Sequence, residues 1–158
     1  MSQKVELLAP AGNYESFIGA LNAGADAVYV GGDKFSARAY ADNFDTETLC
    51  QCIKYAHLFG KRVYLTLNTL IKESEMEEAE NYIKFLASIG VDGILVQDMG
   101  LFNLIKNIAP NLPIHTSTQL SIHTREGVKF LEDMGAKRVV LAREMTLEEM
   151  KEVRRGTN

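Results

Sequence analysis

Short apolar runs alternate with longer stretches of helical period six times along the chain, and this alternation limits the fold more than any other feature of the sequence. The predicted strands are Val5–Pro10, Ala27–Gly31, Val63–Asn68, Gly93–Gln97, Ile114–Thr118 and Arg138–Ala142. The predicted helices are Tyr14–Ala23, Thr46–Phe59, Glu75–Ile89, Leu101–Ile108, Arg125–Met134 and Leu147–Arg155. Runs such as Gly93-Ile94-Leu95-Val96 and Val139-Val140-Leu141-Ala142 are apolar without alternation. That pattern belongs to parallel strands covered on both faces.

The element boundaries carry their own signals. Ser74-x-x-Glu77 and Thr146-x-x-Glu149 fit the capping box, in which each side chain satisfies a free first-turn N–H. Gly24, Gly60, Gly90 and Gly135 stand at predicted helix exits, where glycine takes the left-handed conformation at least cost. Gly24-Ala25-Asp26-Ala27-Val28 is echoed by Gly90-Val91-Asp92-Gly93-Ile94 and, more loosely, by Gly135-Ala136-Lys137-Arg138-Val139. Each copy is a short turn from a helix into a buried strand, so the repeat reports architecture.

Six βα units fit either an open doubly wound sheet or an incomplete (β/α)8 barrel. The turn after the first strand, Ala9-Pro10-Ala11-Gly12-Asn13, holds one glycine and no dinucleotide fingerprint. The Gly31-Gly32 pair is a weak phosphate-loop signal. Polar residues cluster at the predicted strand C-termini, and these favour the barrel. A complete barrel takes roughly 250 residues, so these 158 are expected to form one domain, the N-terminal part of a TIM-type barrel.

Composition narrows the function classes. The net charge of −4 argues against a surface that coats nucleic acid, without excluding a local basic rim. No apolar run approaches the roughly 20 residues of a membrane span, and Lys4, Glu6 and Glu15 break any signal-peptide core. Cys50 and Cys52 are two apart in a predicted helix and point to different faces, so a mutual disulfide is not expected. A cytoplasmic location follows.

Barrel enzymes place their chemistry at the strand C-termini and in the loops beyond. The candidates there are Arg38 and Asn43 in the long second loop, Asn68 after strand three, and Gln97 after strand four. His115, Ser117 and Gln119 share one parity in strand five, and Arg143-Glu144 ends strand six. Two readings stand for each. Arg38 either binds an anionic group bidentately or pairs with Asp33 or Asp42. The His115–Ser117–Gln119 ladder either meets substrate or closes a structural network with Asn68 and Gln97. One of Arg143 and Glu144 either faces the mouth or forms a salt bridge. Glu6 is read as structural, early in strand one. His57 and His123 join no zinc motif, and no G-x-S-x-G elbow or nucleophile–base pair is evident. The catalytic residues are not assigned, and no metal site is expected.

Glu6-Leu7-Leu8-Ala9-Pro10-Ala11-Gly12-Asn13 and Ala23-Gly24-Ala25-Asp26-Ala27-Val28-Tyr29-Val30-Gly31-Gly32 resemble the start of peptidase family U32. The resemblance continues through Phe35-Ser36-Ala37-Arg38 with Asn43-Phe44, through His115-Thr116-Ser117-Thr118-Gln119, and through Ala142-Arg143-Glu144-Met145-Thr146-Leu147-Glu148-Glu149. It implies an N-terminal fragment of a larger enzyme. The family is catalogued as collagenase-like peptidases, and other members are implicated in oxygen-independent hydroxylation of tRNA, rRNA or a ubiquinone precursor. The resemblance therefore implies an RNA-hydroxylating parent, with a collagenase-like peptidase and a non-catalytic partner subunit as alternatives. It also implies an iron–sulfur cluster in the full-length parent, held by cysteines downstream of this region. Cys50 and Cys52 match no such ligand position, so no cofactor is expected in this fragment, which is expected to be inactive alone. The partners implied are RNA or a peptide, and exposed sheet edges suggest a homodimer.

Overall fold

The computed structural model describes residues 5–37 and 43–157. Its six strands are β1 (Leu8–Ala11), β2 (Ala27–Gly31), β3 (Arg62–Leu67), β4 (Gly93–Val96), β5 (Ile114–Thr116) and β6 (Arg138–Val139). Each is parallel to its neighbour, in the order β1-β2-β3-β4-β5-β6. A doubly wound sheet must reverse its strand order at a switch point. This one never does. Helices α1 (Tyr14–Asn22), α2 (Thr46–Leu58), α3 (Met76–Ser88), α4 (Met99–Ile108), α5 (Arg125–Asp133) and α6 (Leu147–Arg154) follow the strands one for one.

One parity of each strand packs outward against the helices. Val28, Val30, Val63, Leu65, Ile94 and Val96 lie there in the main core with Phe17, Ile53, Ile83 and Phe102. A smaller cluster of Val128, Ala142, Met145 and Val153 holds α5 and α6 together.

The opposite parity meets across a concave interior. Glu6 accepts hydrogen bonds from the Tyr64 hydroxyl at 3.0 and 3.2 Å. It also pairs with Arg62 at 2.7 Å and with Arg138 at 2.8 Å. Glu6 leads into β1 and Arg138 opens β6. In a flat sheet, five interstrand steps of about 4.8 Å would separate them by about 24 Å, farther than the two side chains can span. The sheet therefore curls into a half-barrel.

Tyr64 also meets His115 edge to face, with ring centroids 4.6 Å apart, and the Arg138 guanidinium lies 5.3 Å from the Tyr64 ring centre. Glu6, Tyr64 and His115 thus form one layer contributed by alternate strands, as in a closed barrel. This layer is the floor.

The repeated Gly-x-Asp turns have a shared task. Asp26 accepts the backbone N–H of Leu7 at 3.0 Å, and Asp92 accepts that of Val63 at 2.8 Å. Each carboxylate clips the entry of the preceding strand. The third copy has Lys137 in that place and no carboxylate to offer. All four predicted exit glycines have positive φ.

Several predicted boundaries shift for local reasons. Strand five stops at Thr116, not Thr118, because the Ser117 side chain accepts the Gln119 N–H and starts a 3-10 turn over Thr118–Leu120. Strand six shortens from Arg138–Ala142 to Arg138–Val139: it has a partner on one side only, and Val140 N–H bonds the Thr116 side chain instead of a ladder carbonyl. The Ser74–Glu77 capping box does not form. Glu75 caps the Lys72 N–H instead, through a 3-10 turn at Glu73–Glu75. The Thr146–Glu149 box forms as expected.

Burial beside Arg138 pushes the His115 imidazole down to about 4. The unfolded chain takes up this proton below about 6.5, the folded chain only near 4, so stability falls as pH drops through that window. The loss is at most about 3 kcal/mol. Urea unfolding at pH 7 and pH 4.5 should show that part of the pH dependence in the native protein and not in His115→Phe. An imidazole that titrates near 6.5 by NMR would contradict the buried floor.

Candidate functional site at the mouth of the half-barrel

The C-terminal ends of the strands carry a polar rim that includes a hydroxyl–amide cluster on β2, β3 and the loop between β2 and α2. The Thr66 hydroxyl donates to the Val30 carbonyl at 3.2 Å and meets the Ser36 hydroxyl at 3.0 Å. The Asn68 side-chain oxygen accepts the Ala37 N–H at 3.0 Å, and the Thr69 hydroxyl donates to the Phe35 backbone carbonyl at 3.1 Å. The loop after β2 is thereby tied to the end of β3. A bridge between Gly32 and Phe44 closes its base.

The two glycines that open this loop serve packing. A Cβ on Gly31 would sit 2.6 Å from the Ser36 hydroxyl, and one on Gly32 would run into the Tyr82 hydroxyl. Tyr82 cannot easily yield, because its ring is buried between Phe35 and Phe85. The Gly31-Gly32 pair is a close-approach device, and the weak phosphate-loop signal has this steric explanation.

The predicted residues fall into three places. Asn43, Asn68, Gln97, Ser117 and Gln119 stand at the mouth, on the ends of four different strands or their loops. Asn43 and Gln119 are exposed, Gln97 is half-buried and Ser117 is buried. The Ser117 hydroxyl is 3.3 Å from the Gln119 side-chain oxygen, to which it donates. Arg143 and Glu144 are exposed beyond β6, and Glu144 lies 3.9 Å from His123. His115 faces the same interior as Ser117 but lies one pleat lower, in the floor. The three-residue ladder expected on strand five is therefore broken: one member is in the floor, one caps a turn, and one is on that turn. Arg38, and Asp42 as its alternative partner, lie outside the described residues.

Sequence reasoning missed Thr66 and Tyr64. The same-parity argument applied to strand five would have found Tyr64 and Thr66, since they precede Asn68 at steps of two. Asp98, which with Gln97 ends the fourth predicted strand, caps α4 through the Leu101 N–H at 2.8 Å and holds the Ile71 N–H at 3.2 Å. Arg62 and Arg138, each the first residue of its strand, are the cations that answer Glu6.

Among the described residues, no group of three or more His, Cys, Asp or Glu side chains is arranged to hold a metal ion. Both cysteines are on α2, outside the sheet, and burial pushes the Cys52 thiol up to about 12. A thiol kept protonated in the helix-facing core is a poor cluster ligand, so this donor set does not fit an iron–sulfur centre. Among the described residues, no helix is long and apolar enough to cross a membrane.

Known proteins share both the sequence and the fold. Over 154 residues the chain is 38% identical to tRNA hydroxylation protein P1 of Bacillus subtilis, covering 98% of this chain and 36% of the relative. It is 39% identical to the 23S rRNA 5-hydroxycytidine C2501 synthase of Escherichia coli, covering 99% of this chain and 23% of the relative. It is also 33% identical to a collagenase of Porphyromonas gingivalis, covering 94% and 35%. The chain thus spans between about a quarter and somewhat over a third of the length of these curated relatives.

Among solved structures, a U32 peptidase superposes on the whole chain and on 67% of its own length, with a TM-score of 0.80 at 15% identity. A 3-hexulose-6-phosphate synthase from Salmonella typhimurium superposes on 96% of this chain and 71% of its own, with a TM-score of 0.70 at 20% identity. These two likenesses speak for the fold alone. The model of peptidase family U32 matches residues 12–158, and this chain belongs to that family.

Proposed function

We propose that this chain is part of a cytoplasmic enzyme that hydroxylates RNA, a tRNA or an rRNA, without molecular oxygen. The observation that carries the reading is the agreement between relatives. Proteins named for tRNA hydroxylation, from Bacillus subtilis and Helicobacter pylori, and an rRNA hydroxycytidine synthase match almost the full chain at 38 to 39% identity.

The rim supports it chemically. Asn43, Gln97 and Gln119 offer amide groups that both donate and accept, which suits the hydrogen-bonding edges of a nucleobase. Arg143, with Arg38, supplies the positive charge for a phosphate or carboxylate. Any iron–sulfur cluster in this reading takes its thiolates from residues other than Cys50 and Cys52. The outer edges of β1 and β6, each paired on one side only, are where a longer polypeptide or a second copy would add strands.

The collagenase of Porphyromonas gingivalis and an uncharacterised protease of Methanocaldococcus jannaschii, 40% identical over 154 residues, favour a second reading as a peptidase.

Deleting the gene should remove one hydroxylated nucleoside from total RNA digests read by mass spectrometry, and a plasmid copy should restore it. In that complementation, Arg143→Ala should lower the restored level by about ten-fold or more, the usual cost of a lost charged hydrogen bond. An unchanged nucleoside profile, with chelator-sensitive cleavage of gelatin by the full-length protein, would reverse the order of the two readings.

A further inference from the structure

We infer that Thr66 and Asn68 are positioning residues: they hold Phe35–Ala37 of the loop after β2 against the end of β3. By position, Asn68 is an obvious substrate ligand, since it stands at the tip of a central strand on the inward parity. Its geometry says otherwise. The side-chain oxygen is spent on the Ala37 N–H at 3.0 Å. Two residues earlier, Thr66 is 2% exposed and bonds both the Ser36 hydroxyl and the Val30 carbonyl. One residue later, Thr69 donates to the Phe35 carbonyl. Three side chains within four residues of β3 and its exit thus grip three consecutive loop residues.

The loop is shaped to be gripped. Phe35 has φ of 56°, the left-handed region that a residue with a bulky side chain rarely occupies. Such a conformation persists only where its surroundings over-determine it. Here they do: the Phe35 ring rests 6.2 Å from the Tyr82 ring, its carbonyl is held by Thr69, and the next residue is held by Thr66. Gly31 contributes by absence, because any Cβ there would displace the Ser36 hydroxyl from Thr66. Ala37 is exposed, so its amide depends on Asn68 for protection from solvent. The consequence for catalysis rests on the mouth being the working face; the grip on the loop does not.

Amide hydrogen exchange at Ala37, followed by NMR, tests the assignment without reference to any activity. Asn68→Leu removes the acceptor and should speed exchange at Ala37 by about ten-fold, while Asn68→Asp, which keeps an oxygen there, should return it to within about two-fold of the native rate. Thr66→Val should loosen the same amide and Thr66→Ser should restore it. Ser36→Ala removes the partner hydroxyl from the partly exposed loop side, and should act like Thr66→Val if that buried substitution fails to fold. Native exchange in Asn68→Leu, or failure of Asn68→Asp to restore it, would overturn the inference. In the full-length protein, faster exchange with undiminished hydroxylation would uphold the positioning role and sink the mouth as the site of reaction. Lost hydroxylation with native exchange would make Asn68 a direct ligand and overturn the inference.

Discussion

The pair formed by Glu6 and Arg138 sets the shape on which everything else depends. It joins the residue that leads into the first strand to the residue that opens the sixth, at 2.8 Å. Sequential parallel pairing alone would allow an open, twisted sheet. A contact across five interstrand steps requires curvature, and curvature turns one parity of every strand into an interior. Tyr64 and His115 then complete the floor. Glu6 is partly shielded, at 15% side-chain exposure, and answers two guanidinium groups and a phenol at once. A half-shielded carboxylate with fewer partners would be a liability.

Above the floor the character of the interior changes. The layer one pleat higher on the same strands holds Leu8, Thr66 and Ser117, and beyond it the rim is made of amides and hydroxyls. Those groups do different kinds of work. Thr66, Asn68 and Thr69 serve the loop after β2, and Ser117 starts a turn. Gln97, Gln119 and Asn43 carry the remaining amides of the rim, and Arg143 stands exposed beyond β6. Scaffold and candidate site are therefore interleaved, residue by residue, on the ends of the same strands.

Much of the architecture was legible from the sequence because it is written in local chemistry. The unalternating apolar strands, the exit glycines and the Thr146–Glu149 box each reflect a rule that acts within a few residues. The direction of His115 was legible too, but not its height: parity tells which face a side chain takes, and only the tilt and stagger of a curled sheet tell which layer it joins. The bond that Asn68 makes was not legible for a related reason. Its neighbour Ala37 is 31 residues earlier, and no local pattern announces a partner at that distance. The early end of strand six lies in the same class, since it follows from having no neighbour on one side.

The claim that the cross-barrel pair sustains the curl is tested most directly by a double-mutant cycle on Glu6→Gln and Arg138→Met, read by urea unfolding. If the pair acts across the barrel as described, the coupling energy should be about 1–3 kcal/mol, and each single variant should weaken the near-ultraviolet signal of the Tyr64 floor. Additive losses, with coupling within about 0.3–0.5 kcal/mol of zero and an unchanged aromatic signal, would mean that the half-barrel curls without it.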